Sequence, residues 1–349
     1  MRTTAILPLA LLLVAPSAIA GSGAFGVKTM REPLPAHTVE RSLLLPKGWL
    51  QLDLAYDLHH GTGAWSPDGE VVPFEHADWT YQTERATVSY GLTHQIELSW
   101  SIPVHQAHLT NDLLLTDTKD WSPGDPVIGM KYELLDRDPP PAIGSNEPRA
   151  PLDHSLALEF AYKAPAGKES PGTYIGGPLN VSGFVFTTGT PDLSMVLAGR
   201  KQLGPIGLDG RIGYVRRFSA VTQYLIELEN LQFLGRIKPG DQIKTEVRFM
   251  VQAGPVVPFV DTAVVYRGIT RTGTTSKWPN PNSNLTEVPE SDGLQGDLDV
   301  GLIVNATRGV DVMLHGKLPV FGEDLQFFPI EDLQPTYGPT FGGSLQVRY

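Results

Sequence analysis

The sequence predicts an all-β fold, a transmembrane antiparallel up-and-down β-barrel of about twelve strands, on three observations. Apolar and polar residues alternate over many segments; tight turns alternate with long connections; and aromatic residues collect at the two ends of the apolar faces. Each follows from strands that meet lipid on one side and a polar interior on the other.

A strand repeats every second residue, so a segment between two different environments alternates strictly. Leu50, Leu52, Leu54, Tyr56 and Leu58 alternate with Gln51, Asp53, Asp57 and His59; Ile243, Thr245, Val247, Phe249 and Val251 alternate with Gln242, Lys244, Glu246, Arg248 and Gln252. The same pattern places strands at 48–60, 79–91, 94–105, 125–136, 154–164, 190–201, 205–217, 240–253, 256–268, 294–305, 308–318 and 339–349. After the first twenty residues no stretch approaches the ~18 consecutive apolar residues of a spanning helix, so a membrane reading rests on strands.

A soluble sandwich alternates as well, and the connections separate the two folds. Turns at Leu92 and Thr93, Gln202 to Gly204, Gly254 and Pro255, and Thr307 and Arg308 are tight, whereas the connections between them are long. Outer-membrane barrels have this asymmetry, with short periplasmic turns and long extracellular loops; a compact soluble domain seldom carries even one long plain loop. Arg137 to Asp153 breaks the alternation. With Pro139, Pro140, Pro141, Pro148 and Pro151, it reads as a stiff periplasmic excursion where a short turn is due.

With the first strand running outward, Tyr90, Tyr132 and Tyr349 fall near the periplasmic ends of the apolar face. Tyr56, Tyr162, Tyr214, Tyr266 and Phe341 fall near the extracellular ends. These are the two interfacial girdles of a barrel. The last strand has an apolar face of Phe341, Gly343, Leu345, Val347 and Tyr349, and Tyr349 resembles the terminal aromatic read by the barrel assembly machinery. Pairing of that strand with the first satisfies backbone groups that lipid does not.

Residues 1–20 have the layout of a cleaved secretory signal, with Arg2, an apolar run from Ala5 to Val14 and small residues at Ala18 and Ala20. The expected location is the outer membrane of a Gram-negative bacterium, with 21–47 as a periplasmic or plug segment and 48–349 as the barrel. Loss of Arg2 takes the formal charge from -11 to -12, which argues against nucleic-acid partners. Outer-membrane lipid and lipopolysaccharide, the assembly machinery and a small-molecule solute are the expected partners. Without cysteine, neither disulfides nor thiolate metal sites hold the chain.

By parity the inward face carries the acids Asp53, Asp57, Glu97, Glu133, Glu159, Asp192, Asp209, Glu246, Asp261, Asp297, Asp299 and Asp311. The bases on that face are Arg85, Lys131, Lys163, Arg200, Arg211, Arg217, Lys244, Arg248, Arg267, Lys317 and Arg348. A pore selective by charge is expected to carry a surplus of one sign; this near balance points to ion-pair networks crossing a narrow interior. Of nine histidines only His315, between Met313 and Lys317, falls well inside a predicted strand and faces inward. A hydrolase needs a nucleophile, a base and an orienting group in reach. The outward faces, where outer-membrane phospholipases carry theirs, hold almost no such residues, so the reading is non-enzymatic and without cofactor. His59, His60, Glu75, His76 and Asp78, or His105 and His108, have donors suited to zinc or copper. Polar loop residues are mostly just solvated, and no metal is assigned.

Several stretches resemble the outer-membrane barrel family of meta-pathway phenol-degradation proteins. They are Leu43 to Gly48 (LLLPKG), Tyr90 to Leu98 (YGLTHQIEL) with Ile102, Pro103 and Val104, Gly124 to Leu135 (GDPVIGMKYELL), Leu156 to Pro165 (LALEFAYKAP) and Gly189 to Leu193 (GTPDL). The tract from Tyr90 to Leu197 is the most specific, since turn, strand and following proline recur in order. The resemblance implies an outer-membrane barrel that handles or takes up small, often aromatic compounds. Two functions stay open: a channel for small, weakly polar or aromatic solutes, and a structural or surface-interaction barrel with a closed lumen. Size decides for neither, because about twelve strands lie between side-chain-filled barrels of eight and aqueous channels of 16 to 18.

Overall fold

The computed structural model describes residues 34–35, 37–66, 68–112, 116–135, 154–166, 173–174, 189–226, 231–274, 285–287, 292–323 and 337–349. The signal-type segment, residues 21–33 and the proline-rich connection 137–153 lie outside them.

Twelve antiparallel strands follow one another in chain order around a closed ring. They are β1 (Leu50–Gly61), β2 (Ala77–Gly91), β3 (Ile96–Asn111), β4 (Val127–Glu133), β5 (His154–Lys163) and β6 (Asp192–Leu203), then β7 (Ile206–Arg217), β8 (Gln242–Val251), β9 (Val256–Arg267), β10 (Gly293–Thr307), β11 (Val310–Glu323) and β12 (Thr340–Arg348). β12 returns to β1 in a register running from Gln51↔Arg348 to His59↔Thr340, which leaves no open edge between first and last strands. Tyr349 lengthens that seam by exchanging backbone hydrogen bonds of 2.8 and 3.2 Å with Leu50.

Every strand read from the sequence is present, and the tight turns fall where they were expected. Gly254 turns the chain between β8 and β9 at φ 63°, a left-handed value that a residue with a Cβ adopts only at a cost. The larger differences lie at the long-loop end, where β3 runs to Asn111 and β11 to Glu323. Lipid forces the apolar alternation, whereas the backbone ladder continues beyond lipid without it. The long connections also carry strands that the sequence reading did not assign. Gly63–Trp65 pairs with Val71–Pro73, Thr116–Pro123 folds back along β3, and Ala220–Ile226 pairs with Leu231–Lys238.

Apolar side chains of one parity are exposed all round the wall, among them Val88, Trp100, Ile128, Met195, Ile212, Val247, Val260, Val300 and Leu314. Tyr90 and Tyr132 at the short-turn end, and Tyr56, Tyr162, Tyr214, Tyr266 and Phe341 at the long-loop end, are exposed on the same outer surface. Water does not tolerate an apolar belt of this extent on a monomer, and lipid does.

Candidate functional site: the lumen and its N-terminal insert

An antiparallel register sets residues of one face directly opposite each other, and here it brings the inward charges together. Arg248 stands opposite Asp209 on β7 and Asp261 on β9, and donates to Asp261 at 2.8 Å. Arg211 stands opposite Glu246 and reaches over Ala198 of β6 to Glu159 on β5, at 3.1 Å. Lys244 holds Glu246 at 2.5 Å, and Arg200 holds Asp209 through two bonds of 2.6 Å. Lys131 pairs with Glu97 at 3.4 Å and Lys317 with Asp297 at 3.5 Å. Lys163 lies 2.6 Å from Asp192 and 3.7 Å from Asp125, an acid just before β4 that parity reasoning passed over. His315 sits between Asp57 at 3.1 Å and Asp299 at 3.0 Å. Asp53 accepts from Gln346 at 2.6 Å and Glu133 from Ser155 at 2.9 Å. Arg85, opposite Ala55, is exposed. Arg217 is buried with its backbone N–H donating to Asp241 at 3.0 Å, and Arg267 ends β9 opposite Gln242 and Gly293.

Apart from Lys244 and Glu246, neighbours on the same face of β8, these pairs join adjacent strands or strands one apart. They run along the wall, which corrects the expectation of networks crossing the bore: register supplies most of these charges with a partner at the side before one has to be sought across the axis.

What enters the bore is the chain ahead of β1. Thr38–Glu40 forms one 3-10 turn. Val39 is buried against Met250, Val257, Phe259 and Ile303, with Met313 alongside. Arg41 donates to Asp311, which also receives Arg348 and the Asn305 amide. Asn305 donates to the Thr38 hydroxyl at 2.6 Å, and Arg200 donates to the carbonyls of Thr38 and Arg41 at 3.3 and 2.9 Å. Further along, the Leu45 N–H donates to Glu97 at 2.7 Å and the Gly48 N–H to the Gly91 carbonyl at 2.8 Å. Residues 37–48 are thus held inside the short-turn end by β2, β3, β6, β8, β9, β10 and β11. A cavity of about 290 Å³ lies against them, lined by Arg41, Leu45, Arg200, Glu246, Arg248 and Gln346 among others.

Sequence reasoning missed the apolar inner patch, although a signal for it exists. At the short-turn ends of β8 to β11 both parities turn apolar: Phe249 with Met250, Val256 to Val260, Leu302 to Val304, and Val312 to Leu314. A strand apolar on both faces has an apolar neighbour inside.

Gly91 marks where this insert leaves the wall. A Cβ there would lie 2.1 Å from the Pro46 carbonyl oxygen, and backbone contacts of that kind are relieved only by movement, at about 1–3 kcal/mol. Gly91→Ala is expected to loosen the insert, so that residues 37–48 become sensitive to protease while the barrel keeps its folded migration in unheated gels. Unchanged resistance to protease would show that the insert is not held at Gly91.

The histidines are placed differently from expectation. His59 and His105 face inward to Thr340 at 2.9 Å and Thr83 at 3.1 Å, whereas His60 and His108 contact Asp78 at 3.4 Å and Asp117 at 2.7 Å. All four lie in strands, because β1 and β3 continue past the lipid belt. Alternation then splits His59 from His60, and His105 and His108 have odd spacing and likewise part to opposite faces. The described residues bring together no group of three metal-type ligands. Both ring nitrogens of His315 meet carboxylates, Nδ1 that of Asp299 and Nε2 that of Asp57. At the long-loop end the inner faces of β2 and β3 pack Trp79, Tyr81, Ala107 and Leu109 with Phe74, another cluster that parity reasoning did not single out.

No known family profile matches this sequence, and no curated protein matches it. Among solved structures the chain is similar to the COG4313 outer membrane channel from Pseudomonas putida F1, with a TM-score of 0.59 at 12% identity over 88% of this chain and 97% of that one. The fold is that of an outer-membrane β-barrel. The chain also matches the transport unit of the autotransporter AIDA-I from Escherichia coli, at TM-score 0.45 and 9% identity over 88% and 92% of the two chains. The NanC porin matches at TM-score 0.39 and 9% identity over 85% and 98%.

Proposed function

We propose that the protein is an outer-membrane channel for small, weakly polar or aromatic compounds, narrowed at its periplasmic end by its own residues 37–48. One observation carries this reading: the wall charges pair along the wall, and the obstruction in the bore is a separate segment outside the β-ladder. A barrel built to be closed fills its interior with the side chains of its own strands. The resemblance to the phenol-degradation barrels supports the aromatic solute class, and the likeness to a barrel described as an outer membrane channel supports transport. On the same reading the apolar belt meets outer-membrane lipid and lipopolysaccharide.

The buried contacts of Val39 and Arg41 favour a second reading, a permanently closed barrel with a structural or surface role. The two differ in flux. A channel is expected to swell liposomes in small solutes, and its deletion to slow uptake of phenols or small aromatic acids at limiting concentration. Absence of conductance, together with unchanged uptake over a broad aromatic panel, would remove the channel and leave the closed barrel.

A further inference from the structure

We infer that the bore presents cations to a passing solute, and that the channel therefore prefers small anions, organic carboxylates in particular; this rests on the channel reading above. The inward charges are nearly even in number, but number is not what a solute meets. Lysine and arginine carry charge at the end of a long flexible stem, whereas an aspartate or glutamate ends much closer to the backbone. On a wall curved around a bore, acids therefore stay at the wall and bases project toward the axis.

Most of the inward pairs have this pattern, although Arg200 and Asp209 are equally buried, at 14% and 15%. Arg211, Lys244 and Lys317 are 41%, 49% and 39% exposed, while the acids they pair with, Glu159, Glu246 and Asp297, are 17%, 25% and 10% exposed. Arg248 and Asp261 differ in the same sense, at 31% against 12%. Asp57 is the most open of the inward paired acids at 33%, and it faces His315. Arg85, exposed on β2, lies across the ring from β8. Cations on β2, β7, β8 and β11 thus surround the bore, and those of β7, β8 and β11 have their partner carboxylates behind them. Within a Debye length of about 8 Å the nearer charge dominates the potential. Arginine also offers a carboxylate two parallel N–H donors, which gives Arg211 and Arg248 the means to select carboxylates over simple anions.

The test is a reversal potential. The purified wild-type barrel in a planar bilayer, under a potassium chloride gradient, is expected to favour chloride by about threefold or more. Combined Arg211→Gln and Lys244→Gln should abolish that preference in a barrel that still migrates as folded. A cation-selective wild type, or a selectivity that the double substitution leaves unmoved, overturns the inference while the channel reading stands. Absence of conductance overturns the channel reading instead. In that event saturation-transfer NMR on the detergent-solubilised barrel reads the bore without flux, with benzoate and benzylamine as probes of opposite charge. Benzoate binding lost in the double variant supports the cationic bore; equal binding of the two, or preference for benzylamine, overturns it.

Discussion

Asp311→Ala is expected to open the short-turn end of the bore. Asp311 is buried and accepts from Arg41, Arg348 and Asn305. Its loss leaves two guanidinium groups facing each other away from water, and stripping one partner from a buried ion cluster costs about 3–5 kcal/mol. Burial already pulls the pKa of Arg41 below its ordinary value; Asp311 opposes that pull, and Arg348 and Arg200 add to it. The insert is the part able to yield. The barrel is held by a continuous ladder, while residues 37–48 depend on a few polar contacts and on burial of Val39, Leu44 and Leu45, each an apolar contribution of roughly 1.5–3 kcal/mol. Local release therefore costs less than global unfolding. Conductance or liposome swelling should rise several-fold over wild type, and amides of residues 37–48 should exchange faster, with folded migration retained. Wild-type conductance with those amides still protected would refute the cluster as the fastening. Loss of the folded barrel would assign it to wall stability.

Val247→Arg is expected to impair membrane insertion far more than Glu246→Gln, one residue away. Val247 points outward from β8, half exposed, opposite Gly210 and Thr262. A cation on the lipid face at mid-depth costs about 2–4 kcal/mol. Glu246 points inward, 2.5 Å from Lys244 and 3.9 Å from Arg211. Neutralising it in a hydrated bore costs about 1 kcal/mol or less. The fraction migrating as folded barrel in unheated gels, with the urea midpoint in lipid, separates the two. Equal damage from both would mean that this face of β8 is not in lipid.

Those two neighbours also mark what local sequence can specify. Lipid on one side and water on the other impose a period of two, so Val247 outward and Glu246 inward follow from the pattern alone. The strands, their order and the girdle from Tyr56 to Phe341 were legible for that reason, as were the tight turns such as Gly254 and Pro255. The pattern weakens where lipid ends. Beyond the belt a strand keeps its ladder without needing apolar residues, and so the strand position of His108, past the predicted end at 105, was not legible.

By itself the sequence determined a barrel with a charged, evenly balanced inner face. Alternation assigns a residue to a face, but only the register of one strand on the next assigns its partner. That Arg211 passes over Ala198 to Glu159, and that His315 sits between Asp57 and Asp299, was therefore decided by tertiary structure. So was the filling of the bore: Val39 and Arg41 belong to a segment without periodicity, and their places come from a complementary patch and an acid assembled from strands far away in the chain. The unequal exposure of acids and bases was also settled at this level, because a longer side chain reaches nearer the axis only once the sheet has closed around it.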